Sequence, residues 1–99
     1  MKIKDLIIEK YNTLLQNIKQ HTNISIFPSL DSYDIYELIY YFNINFDNIS
    51  DYEPKIKEII NTYNLNISDD IFKNIYPDIK SFLDWFKSLK GYETNAGNN

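Results

Sequence analysis

The sequence predicts an all-α fold, a compact bundle of four or five helices in one domain, and three observations carry that expectation. Apolar residues recur at three-and-four spacing in four separate segments. Helix-starting and helix-stopping residues stand at the edges of those segments. With 99 residues, 43% hydrophobic and 16% aromatic, the chain has enough apolar material for one real core and too little length for two domains.

The first segment gathers Ile3, Leu6, Ile7, Tyr11, Leu14, Leu15 and Ile18 on one stripe, which predicts a helix over residues 2–20. Pro28 and its polar neighbours interrupt the chain. Asp31 or Ser32 can then cap a second helix with Ile35, Leu38, Ile39 and Phe42 inside, and Asp34 and Glu37 in its first turn suit the helix dipole. Beyond it Phe42, Ile44 and Phe46 alternate with Asn43 and Asn45, a strand period, so that stretch reads as either a frayed helix end or a short strand. Ser50 and Glu53 have capping-box spacing, Pro54 suits a first turn, and Ile56, Ile59, Ile60 and Tyr63 continue a third helix to about residue 64. Ser68, Asp69 and Asp70 start a short turn through Phe72 and Ile75. Pro77 then opens a last helix with Ile79, Phe82, Leu83, Phe86 and Leu89 inside and Gly91 just past its end. The bundle domain is expected over residues 1–91 and a flexible tail over 92–99, with connections of the length usual in helical bundles.

Several chemistries are disfavoured by what the chain contains. There is no cysteine, which removes disulfides and thiolate sites and fits a reducing compartment, the cytoplasm being expected. No stretch approaches the roughly 20 apolar residues of a membrane span, and residues 1–10 lack the apolar core of a leader peptide. His21 stands alone as a surface or structural residue. Asp69 and Asp70 lack the spacing of a calcium loop, and Gly91 and Gly97 build no phosphate cradle. No metal and no cofactor are expected. The carboxylates are paired with no nucleophile or oxyanion donor, so the chain reads as a non-enzyme. Nucleic acid is disfavoured because the tyrosine-rich region has no basic residue beside it. Trp85 reads as part of the core.

The charge pattern gives the positive lead. Residues 20–53 hold six carboxylates (Asp31, Asp34, Glu37, Asp47, Asp51 and Glu53) and no lysine or arginine, so the formal net charge of −4 arises there. Five of the nine tyrosines, Tyr33, Tyr36, Tyr40, Tyr41 and Tyr52, share the segment. One reading is an ordinary solvated acidic face; the other is a surface for a basic protein partner. Tyr40 and Tyr41 sharpen the second, since consecutive residues on a helix cannot both point to one core, and an exposed tyrosine among carboxylates suits an interface. The partner-binding candidates are Asp31, Asp34, Glu37, Tyr40, Tyr41, Asp47 and Asp51.

Two family resemblances fall on the same segment. Glu37-Leu38-Ile39-Tyr40-Tyr41, with Asp47-Asn48 soon after and the Pro54 helix following, resembles the Asp-Leu-Ile-Tyr-Tyr segment of the immunity proteins that protect bacteria from nuclease colicins, over roughly a quarter of the chain. Phe42 stands where that family has a proline. The resemblance implies a small acidic helical inhibitor of a basic toxin domain, with Tyr40 and Tyr41 as anchors and Asp47 contributing charge. Asp31-Ser32-Tyr33-Asp34 with Glu37-Leu38 is similar instead to the attachment motif of acyl carrier proteins. That alternative implies phosphopantetheine on Ser32.

Overall fold

Four helices make up the computed structural model, which describes residues 2–97, with side chains through residue 89. They are α1 (Ile3–Lys19), α2 (Ile35–Phe46), α3 (Glu53–Thr62) and α4 (Asp69–Gly97), and no strand occurs among the described residues. The all-α expectation holds. The tail expected over residues 92–99 falls outside the fully described residues.

Each helix forms because its apolar stripe has somewhere to go. Ile7, Tyr11, Leu14 and Ile18 of α1 are buried and lie against α4, whose Ile75, Ile79, Phe82, Leu83 and Phe86 form the facing stripe. In α2, Leu38, Phe42 and Phe46 are buried, and α3 closes the core with Ile56, Ile59 and Ile60. No polar or charged residue is buried among those described. Phe42 is the hub. Its ring lies 5.6 Å from Tyr11, 5.5 Å from Phe27, 5.3 Å from Phe82 and 5.8 Å from Phe86, so one side chain joins α2 to α1, to the first loop and to α4.

Of the two readings left open for residues 42–46, helix is the one that forms: Phe42 and Phe46 are four apart and both 1% exposed, while Ile44 between them faces outward at 63%. Several local expectations are corrected. Asp34, rather than Asp31 or Ser32, caps α2, its carboxylate accepting the Glu37 N–H at 2.8 Å. The Ser50–Glu53 box does not form; Tyr52 occupies the N-cap position of α3, and Asp51 accepts the Glu53 N–H at 3.2 Å. That helix ends at Thr62, and Asn64 takes a left-handed conformation (φ 53°).

The largest correction concerns α4. It starts at Asp69, with the Ser68 hydroxyl accepting the Ile71 N–H at 3.2 Å, and carries Pro77 inside it instead of starting there. An interior proline costs a helix about 3 kcal/mol. Here Ile75 and Ile79, both wholly buried, sit on either side of Pro77 and continue the stripe begun by Phe72, and burying side chains of this size contributes about 1.5–3 kcal/mol each. Packing outweighs the proline. Gly91 likewise does not end the helix, since a glycine costs about 1 kcal/mol and stops a helix only where a left-handed turn follows.

The first connection, residues 20–34, is longer than the usual bundle loop, yet it is anchored. Ile26 and Phe27 are buried, and the Tyr11 hydroxyl donates to the Pro28 carbonyl. The loop is thereby held beside α2, where it forms one wall of the site described next.

Candidate functional site

The outward side of α2 follows from the same periodicity that fills the core. Tyr36, Tyr40 and Ile44 are spaced four apart, so when Leu38, Phe42 and Phe46 turn inward these three line up on the opposite side, 67%, 66% and 63% exposed. Tyr33, at the end of the first loop, and the half-buried Tyr41 border the stripe. With Glu37 they line an open groove of about 420 Å³. A second hollow of about 300 Å³ shares Tyr33 and Tyr41 as its wall and is completed by Ser25, Ile26, Pro28, Tyr63 and Leu65. The two form one aromatic surface running from α2 toward the end of α3.

Tyr41 connects this surface to the core. Its ring packs edge-on against Phe42 at 5.2 Å and Phe27 at 6.5 Å, which ties this groove tyrosine to the core. Burial pushes its phenol up to about 12, and the nearby Tyr63 and Tyr33 hydroxyls add to the shift. It remains a neutral hydrogen-bonding group across the ordinary pH range.

The seven predicted residues do not form one patch. Glu37, Tyr40 and Tyr41 meet in the groove. Asp34 sits at the start of the same helix, engaged as its cap. Asp31 lines a different, smaller hollow with Asn12, Gln16 and Lys19 of α1. Asp47 follows the last turn of α2, and Asp51 lies in the α2–α3 connection beyond it. The acidic segment therefore spreads along both ends of α2.

Nor is the segment without cations once folded. Lys4 of α1 places its ammonium 5.6 Å from the centre of the Tyr36 ring, Lys57 pairs with Glu53 at 3.2 Å, and Lys87 of α4 donates to the Ile49 carbonyl and lies over Tyr52. Tyr52 itself is buried. Its hydroxyl donates to Asp84 at 2.7 Å, and Asp84 also accepts from Lys80 at 2.7 Å. Lys80 and Tyr52 together hold the Asp84 carboxyl below its ordinary range, while burial and the Asp84 charge push the Tyr52 phenol up. This is a structural clamp between α4 and the start of α3.

Ser32 lies in the turn between Ser29 and Tyr33, its N–H donating to the Ser29 carbonyl at 3.1 Å, two residues ahead of the cap of α2. His21 is exposed, and no group of metal-ligating side chains gathers among the described residues. Trp85 is half-buried against Phe82, with the Lys10 ammonium 5.7 Å from its ring. No helix among the described residues is long and apolar enough to cross a membrane.

Four residues of this aromatic surface, Tyr33, Tyr36, Ile44 and Tyr63, were missed as site candidates. Tyr36 and Ile44 were legible, because they share the four-residue spacing of Tyr40. Tyr63 was not, since only the packing of α3 brings it to Tyr33 and Tyr41. Compared with models of protein families, with curated proteins and with solved structures, the chain matches none.

Proposed function

We propose that this chain is a binding protein of the immunity type, which neutralises a basic toxin or effector domain, a nuclease being the expected class, in the cytoplasm of a bacterium. It acts by covering its target and performs no catalysis of its own. The observation that carries this reading is the clustering of Tyr33, Tyr36, Tyr40, Ile44 and Tyr63, all exposed, on one aromatic surface. Single exposed apolar residues need no explanation, but a contiguous set does. Tyrosine offers large contact area with few rotors to immobilise, which is why it recurs among the residues that dominate binding energy. The surplus of carboxylates around α2 supports a basic target through steering of the encounter.

The test titrates basic toxin domains recovered from genes neighbouring that of this chain, by calorimetry, against the wild type and a Tyr36→Ala/Tyr40→Ala double variant. A tight complex for the wild type and a loss of about 2 kcal/mol or more for the variant is the expected outcome. Equal affinity for both removes the groove from the interface. Raising salt should slow association more than it speeds release. Glu37→Lys is the matching charge probe, because Asp34→Lys would also strip α2 of its cap, at about 1 kcal/mol of stability.

A further inference from the structure

We infer that the groove on α2 is shaped to receive an arginine side chain of the bound partner, its guanidinium lying on the faces of Tyr36 and Tyr40 and hydrogen-bonded to the Glu37 carboxylate. This rests on the reading of that groove as the partner surface and names what enters it.

Three observations lead to a cation. Glu37 is the only charged residue lining the groove, it is exposed, and its carboxylate makes no ion pair among the described residues. The other walls are phenol rings and Ile44, whose π faces attract positive charge and whose apolar surface lowers the local dielectric. Finally, the chain already places an ammonium over one of these rings: Lys4 Nζ lies 5.6 Å from the Tyr36 centroid, inside the range of about 6 Å for such contacts. That internal ammonium shows what the ring attracts.

Charge also disfavours the nearest competitor, a second copy, which moreover has no arginine to offer. A second copy would bring its own Glu37 and a further net charge of −4 to the same place, against like charge. A planar guanidinium suits the groove better than an ammonium, because it stacks on a ring and presents paired N–H groups to one carboxylate at the same time. About 420 Å³ falls within the range of roughly 300–1,000 Å³ typical of clefts that take up small molecules, so a whole side chain has room.

The experiment is an NMR titration of the labelled full chain with Nα-acetyl-argininamide, and with its lysine and neutral citrulline counterparts, following the tyrosine ring and Ile44 methyl signals. Saturable shifts at Tyr36, Tyr40 and Ile44 are expected, with arginine at least about fivefold tighter than citrulline and lysine between them. Glu37→Gln should bring arginine down to the level of citrulline. Lys4→Met should tighten arginine by about twofold, since the competing ammonium is gone. Unchanged Phe46 and Phe82 signals verify the fold of each variant. The inference is overturned if citrulline or lysine equals arginine, if no saturable shift occurs, if shifts gather at Asp69 and Asp70 instead, or if Glu37→Gln keeps the arginine preference. A protein partner whose binding depends on Tyr40 but ignores Glu37→Gln would sink this inference and leave the proposed function standing. Arginine binding in the groove with no basic protein partner would do the reverse.

Discussion

The two sides of α2 are both rich in aromatic residues and do opposite things. On one, Phe42 and Phe46 are 1% exposed and packed among rings from α1, α4 and the first loop; on the other, Tyr36 and Tyr40 are about two-thirds exposed. The inward side is chosen for volume. The outward side contributes little to the fold, and exposed rings risk association, so their presence calls for an external cause. Hydroxyls mark the same division. Tyr11 and Tyr52, which are buried, donate to the Pro28 carbonyl and to Asp84, whereas the hydroxyls of Tyr36 and Tyr40 have no protein partner among the described residues.

The contrast can be measured. Phe42→Ala should cost about 3–5 kcal/mol in urea unfolding, a large share of the 5–15 kcal/mol typical of a whole domain. Tyr40→Ala, two residues earlier, should stay within about 0.5 kcal/mol of the wild type. Similar losses for both would erase the distinction between core and surface. Tyr11→Phe comes next: it leaves the Pro28 carbonyl without its donor and should cost about 1–2 kcal/mol, while Tyr40→Phe should cost nothing measurable in the same assay.

Smaller effects follow from titration. The Tyr41 phenol has a folded value raised above its ordinary 10, so the protonated form is favoured by folding; that stability is complete below pH 10 and is lost as pH rises toward about 12. Tyr41→Phe should therefore flatten part of the alkaline fall in melting temperature. Asp84 shifts the other way. Its carboxyl is held below the ordinary 3.8, so its contribution is present above that value and fades as pH falls further, and Asp84→Asn should remove this acid-side slope. Because Asp84 is about half exposed, solvent screening keeps the effect small. Smallest of all is Lys57→Ala. It breaks an exposed pair with Glu53 and should change stability by less than about 0.5 kcal/mol.

Much of the fold was legible in particular residues. The stripe from Ile3 to Ile18 placed α1 to within one residue at each end, and Tyr40 next to Tyr41 required one of them to be exposed. Pro77 failed as a helix start, and the alternation of Phe42, Ile44 and Phe46 left helix and strand open, for one reason: these are local signals worth a few kcal/mol at most, and apolar burial against distant elements outweighed them. The site was half legible: Glu37, Tyr40 and Tyr41 do share one groove, whereas Asp31, Asp47 and Asp51 are carried to other places.

Periodicity along the chain was by itself enough to determine an all-α architecture and the aromatic character of the outward side of α2, because both depend on residues three or four apart. Which groups would neighbour that side was decided only by the tertiary structure. Folding brought Lys4 over Tyr36, set Tyr63 beside Tyr33 and Tyr41, and pinned the loop at Pro28 against α1. Charge and contact act through space, and a linear segment without cations becomes a surface with them as soon as other helices pack alongside.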